Sequence, residues 1–195
     1  GPADAKPPTS QLTLAGFGVA TGLATRYRDA SGALVDASIF YDAVLAHTEA
    51  LELSRGQGDR GETARGLRML GVLYRNLDDE ELGSKALQEA LSYVEERNVR
   101  EAIVLHGELS KSLTLLDRMA EAEQHAVKAV ALSKRSGSPP NRVNSFARMA
   151  ELKLAQGKVD EADTWTKQGF ELFNDVAIRD QTLLLFTQAK VSAAR

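Results

Sequence analysis

The 195 residues contain no cysteine. That excludes disulfide staples, thiolate metal sites and cysteine nucleophiles, and it fits either redox compartment. Periplasm and cytoplasm both stay open, with the periplasm slightly favoured. Proline is scarce as well. Three of the five prolines (Pro2, Pro7, Pro8) fall in the first ten residues, so later only Pro139 and Pro140 can interrupt a helix. Histidine is confined to His47, His106 and His125. No two are three or four residues apart, so no helix carries a pair spaced for a metal, and satisfied core histidines are expected at His47 and His106. No apolar run approaches the ~20 residues of a membrane span. The net charge of -3 provides no broad positive field for nucleic acid. Serine, aspartate and glutamate are plentiful, but no nucleophile, base and orienter fall into an order, so no catalytic residue, metal or cofactor is expected.

What the chain does have is helical periodicity. The stretch 62–96 reads ETARGLRMLGVLYRNLDDEELGSKALQEALSYVEE. Its first half places Leu67, Leu70, Gly71, Tyr74 and Leu77 on one helical face. Its second half does the same with Leu82, Gly83, Ala86, Leu87, Ala90, Leu91 and Val94. Between them, Asp78 or Asp79 is suited to cap the second helix. The result is a helical hairpin with small residues where the two helices cross.

The rest of the chain repeats this unit. Residues 1–10 read as a flexible leader in which Gly1-Pro2 is a tag remnant, as expected of a piece cut from a longer protein. Four hairpins are expected at about 11–55, 60–97, 100–136 and 141–174, with a terminal helix at 179–195. Asn141 is the expected cap after the Ser136–Pro140 break, and Gly157 the expected helix end. The last segment is expected to be an amphipathic helix containing Leu183, Leu184, Leu185, Phe186 and Val191. The small residues Ala50, Ala90, Ala129 and Gly169 recur 40, 39 and 40 residues apart, and Gly83, Ala122 and Ala162 follow at 39 and 40. Two helices per unit at a fixed period define a stack in which each unit completes its neighbour's core. The expected fold is all-α, a right-handed α-solenoid.

The run Leu67, Leu70-Gly71, Tyr74, Gly83, Leu87, Ala90 resembles a tetratricopeptide (TPR) repeat. Gly83 stands there in place of the usual alanine. The next unit is similar through Leu109-Ser110, Leu113, Ala122, Ala126 and Ala129, and the third through Phe146, Met149-Ala150, Gly157, Ala162 and Gly169. Lys153 occupies a place where an aromatic is usual. The period of about 40 resembles the long-helix subclass, against ~34 residues in the usual unit.

This resemblance implies a non-catalytic scaffold binding a protein or peptide segment in a concave groove, as a regulatory or input module of a larger protein. The alternative it permits is a ligand-sensing extracytoplasmic input domain of a bacterial signalling protein, of the histidine kinase or diguanylate cyclase type. In the resembling fold the first helix of each hairpin lines the groove. On that face lie Arg65, Arg68, Arg75 and Asn76, followed in later units by Val104, Glu108, Lys111 and Leu115, and by Asn144, Arg148 and Glu151. The candidate binding residues are Arg65, Arg68, Arg75, Asn76, Lys111, Asn144 and Arg148, whose cations suit an acidic segment. A solvated helix face is the plainer explanation of such charges. The stretch 16–22, with Gly16, Gly18 and Gly22, lacks the strand that a phosphate loop needs and reads as close packing or a helix break. Trp165 reads as packing, with a surface anchor as the other possibility.

Overall fold

The computed structural model describes residues 37–94 and 98–194. The leader, the helix expected at the start of the first hairpin and the stretch 16–22 lie outside the described residues. The described residues form eight α-helices and no strand. They belong to two compact units that divide after Val94. The first unit holds α1 (Ala37–Gly56), α2 (Arg60–Asn76) and α3 (Glu80–Tyr93). The second holds α4 (Val99–Leu115), α5 (Met119–Ser136), α6 (Pro139–Ala155), α7 (Val159–Phe170) and α8 (Ile178–Ala193).

One turn recurs between paired helices. The residue just past the helix end has a positive φ: 71° at Gly58, 59° at Asp78, 58° at Asp117 and 73° at Gly157. The next N–H then donates back five residues: Asp59 to the Ser54 carbonyl at 3.0 Å, Asp79 to Tyr74 at 2.9 Å, Arg118 to Leu113 and Lys158 to Lys153 at 2.8 Å. This is the Schellman closure, which satisfies a carbonyl left over at a helix end. Asp59 and Asp79 also cap the following helix, accepting from the Glu62 N–H at 3.0 Å and the Leu82 N–H at 3.1 Å. One tight turn therefore both stops a helix and starts its antiparallel partner. The cap before α6 differs from the sequence expectation. The helix begins at Pro139, with Ser138 as N-cap, and Asn141 lies inside the first turn. Proline suits that position because the first helical N–H groups have no partner within the helix.

In the first unit, α2 and α3 cross with almost no side chain between them. A Cβ built at Gly83 would lie 2.9 Å from the Gly71 carbonyl oxygen. One built at Gly71 would lie 2.6 Å from Leu87 Cγ. This is the physical reason for glycine where the resembling repeat has alanine. Leu87 and Ala90 are fully buried, as is Leu73, which packs with Ala43 of α1. Leu82, expected inward, is exposed, and Ser84 takes the buried place. Leu82 follows the cap within the first turn of α3, to one side of the stripe formed by Gly83, Leu87 and Ala90.

In the second unit, α4, α6 and α8 form one layer and α5 and α7 the other, because α6 packs against α4 and α8 as well as against α5 and α7. Leu113, Ala122, Ala126, Phe146, Met149 and Leu152 make a continuous core, and Trp165 packs on it with its ring 5.6 Å from Phe146. A second cluster joins Val143 to Leu184 and Val176, and a third joins Ala150, Ala162 and Val191. Gly169 is where α7 meets α8: an added Cβ would come within 2.4 Å of Leu184 Cδ2. On α8 the buried residues are Asp180, Leu184, Thr187 and Val191, whereas Leu185 and Phe186 are exposed. Four consecutive apolar residues span more than one helical face, so they cannot all point inward.

Candidate functional site

The layer α4, α6, α8 bears an open cleft of about 350 Å³. Its walls are Ser110, Lys111, Thr114 and Leu115 from α4, Arg148 and Glu151 from α6, and Leu183, Phe186 and Lys190 from α8. The small Ser110 and Thr114 leave the space. Thr114 donates its hydroxyl to the Ser110 carbonyl at 2.7 Å, so this polar group is spent on the helix backbone. Two large apolar side chains border the opening, Leu115 at 60% and Phe186 at 58% exposure.

A ladder of ion pairs fixes the charged wall, and its long rungs step one repeat. Arg148 donates to Glu108, 40 residues earlier, at 2.9 Å and to Glu151 at 3.0 Å. Lys190 donates to Glu151, 39 residues earlier, at 3.0 Å. The Lys190 ammonium also lies 4.5 Å from the centre of the Phe186 ring. Burial alone would lower the Arg148 pKa, but Glu108 and Glu151 outweigh it and raise it above its ordinary value. Burial pushes Glu151 up, yet Arg148 and Lys190 hold its carboxyl below the usual range. Arg148 is a charged strut between α4 and α6 whose guanidinium already serves two carboxylates.

The candidate residues proposed from sequence occupy different situations. Lys111 and Arg148 share this cleft. Asn144 does not line it. Its side-chain amide donates to the buried Asp180 carboxylate at 3.1 Å and to the Pro140 carbonyl at 3.0 Å, joining α6 to α8. In the first unit, Arg65 is exposed and pairs with Glu62 at 3.2 Å. Arg68 and Asn76 are half-buried. Arg75 closes the α2–α3 turn on Glu80 at 3.2 Å, with only 11% of its side chain exposed. Phe186 and Lys190 are not among the sequence candidates. Carrying the stripe one repeat further finds Lys190, since Lys111, Glu151 and Lys190 are 40 and 39 residues apart.

The histidines also divide. His47 is fully buried on α1, and burial lowers its pKa to about 4. His106 of α4 and His125 of α5 are brought together although 19 residues separate them, with Nδ1 to Nδ1 at 2.8 Å. One ring must donate and the other accept, so the pair holds a single bridging proton. Burial, then the charges of His125 and Lys128, lowers His106 to about 4, and burial also lowers His125. Among the described residues no group of three or more histidine, aspartate or glutamate side chains is placed to hold a metal ion. No described helix is long and apolar enough to cross a membrane.

No protein-family model and no curated protein matches this sequence. Solved structures do match. The Podosopora anserina putative kinesin light chain with nearly identical TPR-like repeats superposes with a TM-score of 0.66 at 15% identity, over 97% of this chain and 87% of that one. A variant of that same repeat protein gives 0.67 over the same spans. BtubC (BKLC) from P. vanneervenii gives 0.61 at 12% identity, over 97% of this chain and 84% of that one. At such identities the likeness is one of fold, and it agrees with the paired helices, the recurrent turn and the 39–40-residue step described above: the chain has the fold of the TPR-like helical repeat proteins.

Proposed function

We propose that this chain is a non-catalytic scaffold that holds a segment of a partner protein, acting as the regulatory or input module of a larger protein. The observation that carries this reading is the cleft on α4, α6 and α8, which combines exposed apolar groups with cations on a rigid frame. A fold of stacked helical pairs offers extended surfaces of this kind, and grooves between helices recognise peptides through a few anchors. Arg65, Arg68, Arg75 and Asn76 in the first unit and Lys111, Asn144 and Arg148 in the second are the proposed polar contacts, with acidic segments as the favoured class. The Arg75 and Arg148 side chains are only 11% and 21% exposed, against 53% for Arg65. A peptide reaches Arg65 most easily, so the largest loss within the first unit is expected there.

An array of acidic peptides tests the reading. The parent should bind a subset, and salt should weaken that binding, as it does for exposed charge pairs. Arg65→Ala, Arg68→Ala or Lys111→Ala should each weaken it by roughly two- to tenfold with helix content unchanged. Binding that is indifferent to salt and to all three changes would reduce these residues to a solvated face.

A further inference from the structure

We propose that the His106–His125 contact is an acid-operated joint: proton uptake drives the two rings apart and loosens the helix pair α4–α5, while α6–α7 stays closed. The joint needs no partner, so it stands apart from the scaffold reading above.

The repeat defines the place these rings occupy. Leu67, His106 and Phe146 stand 39 and 40 residues apart, and so do Ala86, His125 and Trp165. The first of each pair lies on the first helix of a hairpin and the second on its partner helix. In α6–α7 the slot holds Phe146 and Trp165, with ring centres 5.6 Å apart and planes at 45°. In α4–α5 the histidines fill it in nearly the same way, with centres 5.0 Å apart and planes at 40°. Packing here is thus a task that apolar rings perform one repeat later. Imidazole adds what they lack, a nitrogen that takes up a proton.

The contact survives one added proton but not two. At neutral pH one Nδ1–H donates to the other Nδ1 at 2.8 Å. A first added proton can sit on the outer nitrogen of the donor ring and leave this bridge in place. A second makes both Nδ1 atoms donors. Two N–H groups and two positive charges then face each other across half-buried rings, and no bonded arrangement is left. The neighbouring charges do not relieve this. On α5, Lys128 opposes protonation of both rings, and Glu121 favours it at His125 alone. Glu121 is exposed and accepts from Arg118 at 2.7 and 2.8 Å. The charged residues of α6, which packs on both helices, are Arg142, Arg148, Glu151 and Lys153, and none of them acts on either ring.

The sign and the window follow. Burial lowers His106 to about 4 and lowers His125 as well. In the unfolded chain both rings protonate near the ordinary value of about 6.5. With the folded value below the unfolded one, the contact keeps its strength above about pH 6.5 and loses it as pH falls toward about 4. His47, also lowered to about 4, belongs to the first unit and does not enter the comparison of α4–α5 with α6–α7.

The experiment is hydrogen exchange of the full chain between about pH 7 and about pH 4, corrected for the intrinsic pH dependence of exchange, together with NMR titration of its three histidines. In the parent, α4 and α5 should lose about tenfold or more of their protection across this window relative to α6 and α7. His106 and His125 should titrate in two coupled steps. His106→Phe combined with His125→Trp, the pairing that α6–α7 uses, should hold the relative protection constant, with the carboxylates of the unit unchanged. If that variant does not fold, His106→Gln combined with His125→Gln, which can hydrogen-bond but cannot titrate, should hold it constant instead. Equal loss of protection in both hairpins would overturn the joint, because the pair would then affect the unit as a whole. So would a folded variant that keeps the parent's acid loss, or two histidines that titrate independently near the ordinary value.

Discussion

The hairpin α2–α3 and the hairpin α6–α7 use the same positions and fill them differently. Both place small residues twelve apart at the helix crossing, Gly71 and Gly83 in the first, Ala150 and Ala162 in the second. In α2–α3 the backbones approach until a Cβ would lie 2.9 Å from a carbonyl oxygen, and Leu87 fills the remaining space. In α6–α7 the crossing keeps its Cβ atoms, fully buried. One position further illustrates the contrast. Tyr74, Leu113 and Lys153 stand 39 and 40 residues apart, three residues after the crossing residue of their helix. Tyr74 is half-buried, Leu113 is fully buried, and Lys153 is buried with its ammonium on Glu123 at 2.7 Å and Glu161 at 3.2 Å. The repeat fixes where the chain must be small or filled. It leaves open whether packing, backbone contact or an ion pair meets the requirement.

Substitution at the tight crossing is the strongest way to break this contrast. Leu87→Ala removes a fully buried side chain wedged against Gly71 and should cost about 2–5 kcal/mol in urea melts. Gly83→Ala should cost about 1–3 kcal/mol by overpacking, less up to about 1 kcal/mol returned by alanine's better helix propensity. A methyl there meets backbone oxygen, which cannot rotate away. The reverse change in the second unit, Ala162→Gly, should cost only about 1 kcal/mol. If Gly83→Ala instead stabilises the protein by about 1 kcal/mol, the amount that Ala162→Gly costs, the two crossings are equivalent and the contrast is lost.

The turns sharpen the comparison at smaller amplitude. Asp117 and Gly157 occupy corresponding turns, both with positive φ. A side chain there costs about 1–2 kcal/mol, and aspartate tolerates the conformation better than most. Gly157→Ala should therefore lower stability by about 1–2 kcal/mol, although nothing lies within 4 Å of an added Cβ. Asp117→Gly should raise it by up to about 1 kcal/mol, less the entropy that glycine restores to the unfolded chain. Thermal melts of both variants check the pair, and equal signs would mean that backbone strain does not distinguish the turns.

These effects show what is readable in the residues. The helix pairs, the 39–40 step and the inward faces of α2, α5 and α6 follow from periodicity, because the spacing of apolar groups is itself the physical cause of the packing. Leu82 falls outside the core against expectation. An apolar residue next to a periodic face is indistinguishable from one on it until the helix phase is known. The cleft is half legible. Lys111 and Arg148 lie on it, but Phe186 and Lys190 come from a helix whose periodicity is blurred by four successive apolar residues. The His106–His125 contact is hidden altogether, since it links two helices and spacing within one helix cannot reveal it.

The smallest effect is expected at Lys153, where a buried charge suggests a large one. Only 7% of its side chain is exposed, while Glu123 and Glu161 keep 39% and 51%. Burial lowers the Lys153 pKa and the two glutamates raise it, with the net shift upward. The ammonium has lost hydration that its ion pairs return in part, and removing it leaves two carboxylates that still reach water. Glu123 also retains the Gln156 amide at 3.0 Å. Lys153→Met keeps most of the apolar volume and makes the position resemble Leu113, so its cost should lie within about 1 kcal/mol of zero. The pH response provides the second readout. Hydrogen bonds from Lys153 and Gln156 hold the Glu123 carboxyl below its usual range. A carboxylate with a depressed folded pKa stabilises above its unfolded pKa, and that contribution is lost as pH falls through the folded value. The parent should therefore lose stability on acidification across the carboxylate range, and Lys153→Met should lose less. A loss above about 3 kcal/mol for Lys153→Met at neutral pH, the cost of breaking a buried pair that matters, would show instead that the ion cluster and not the alanine crossing holds α6 and α7 together.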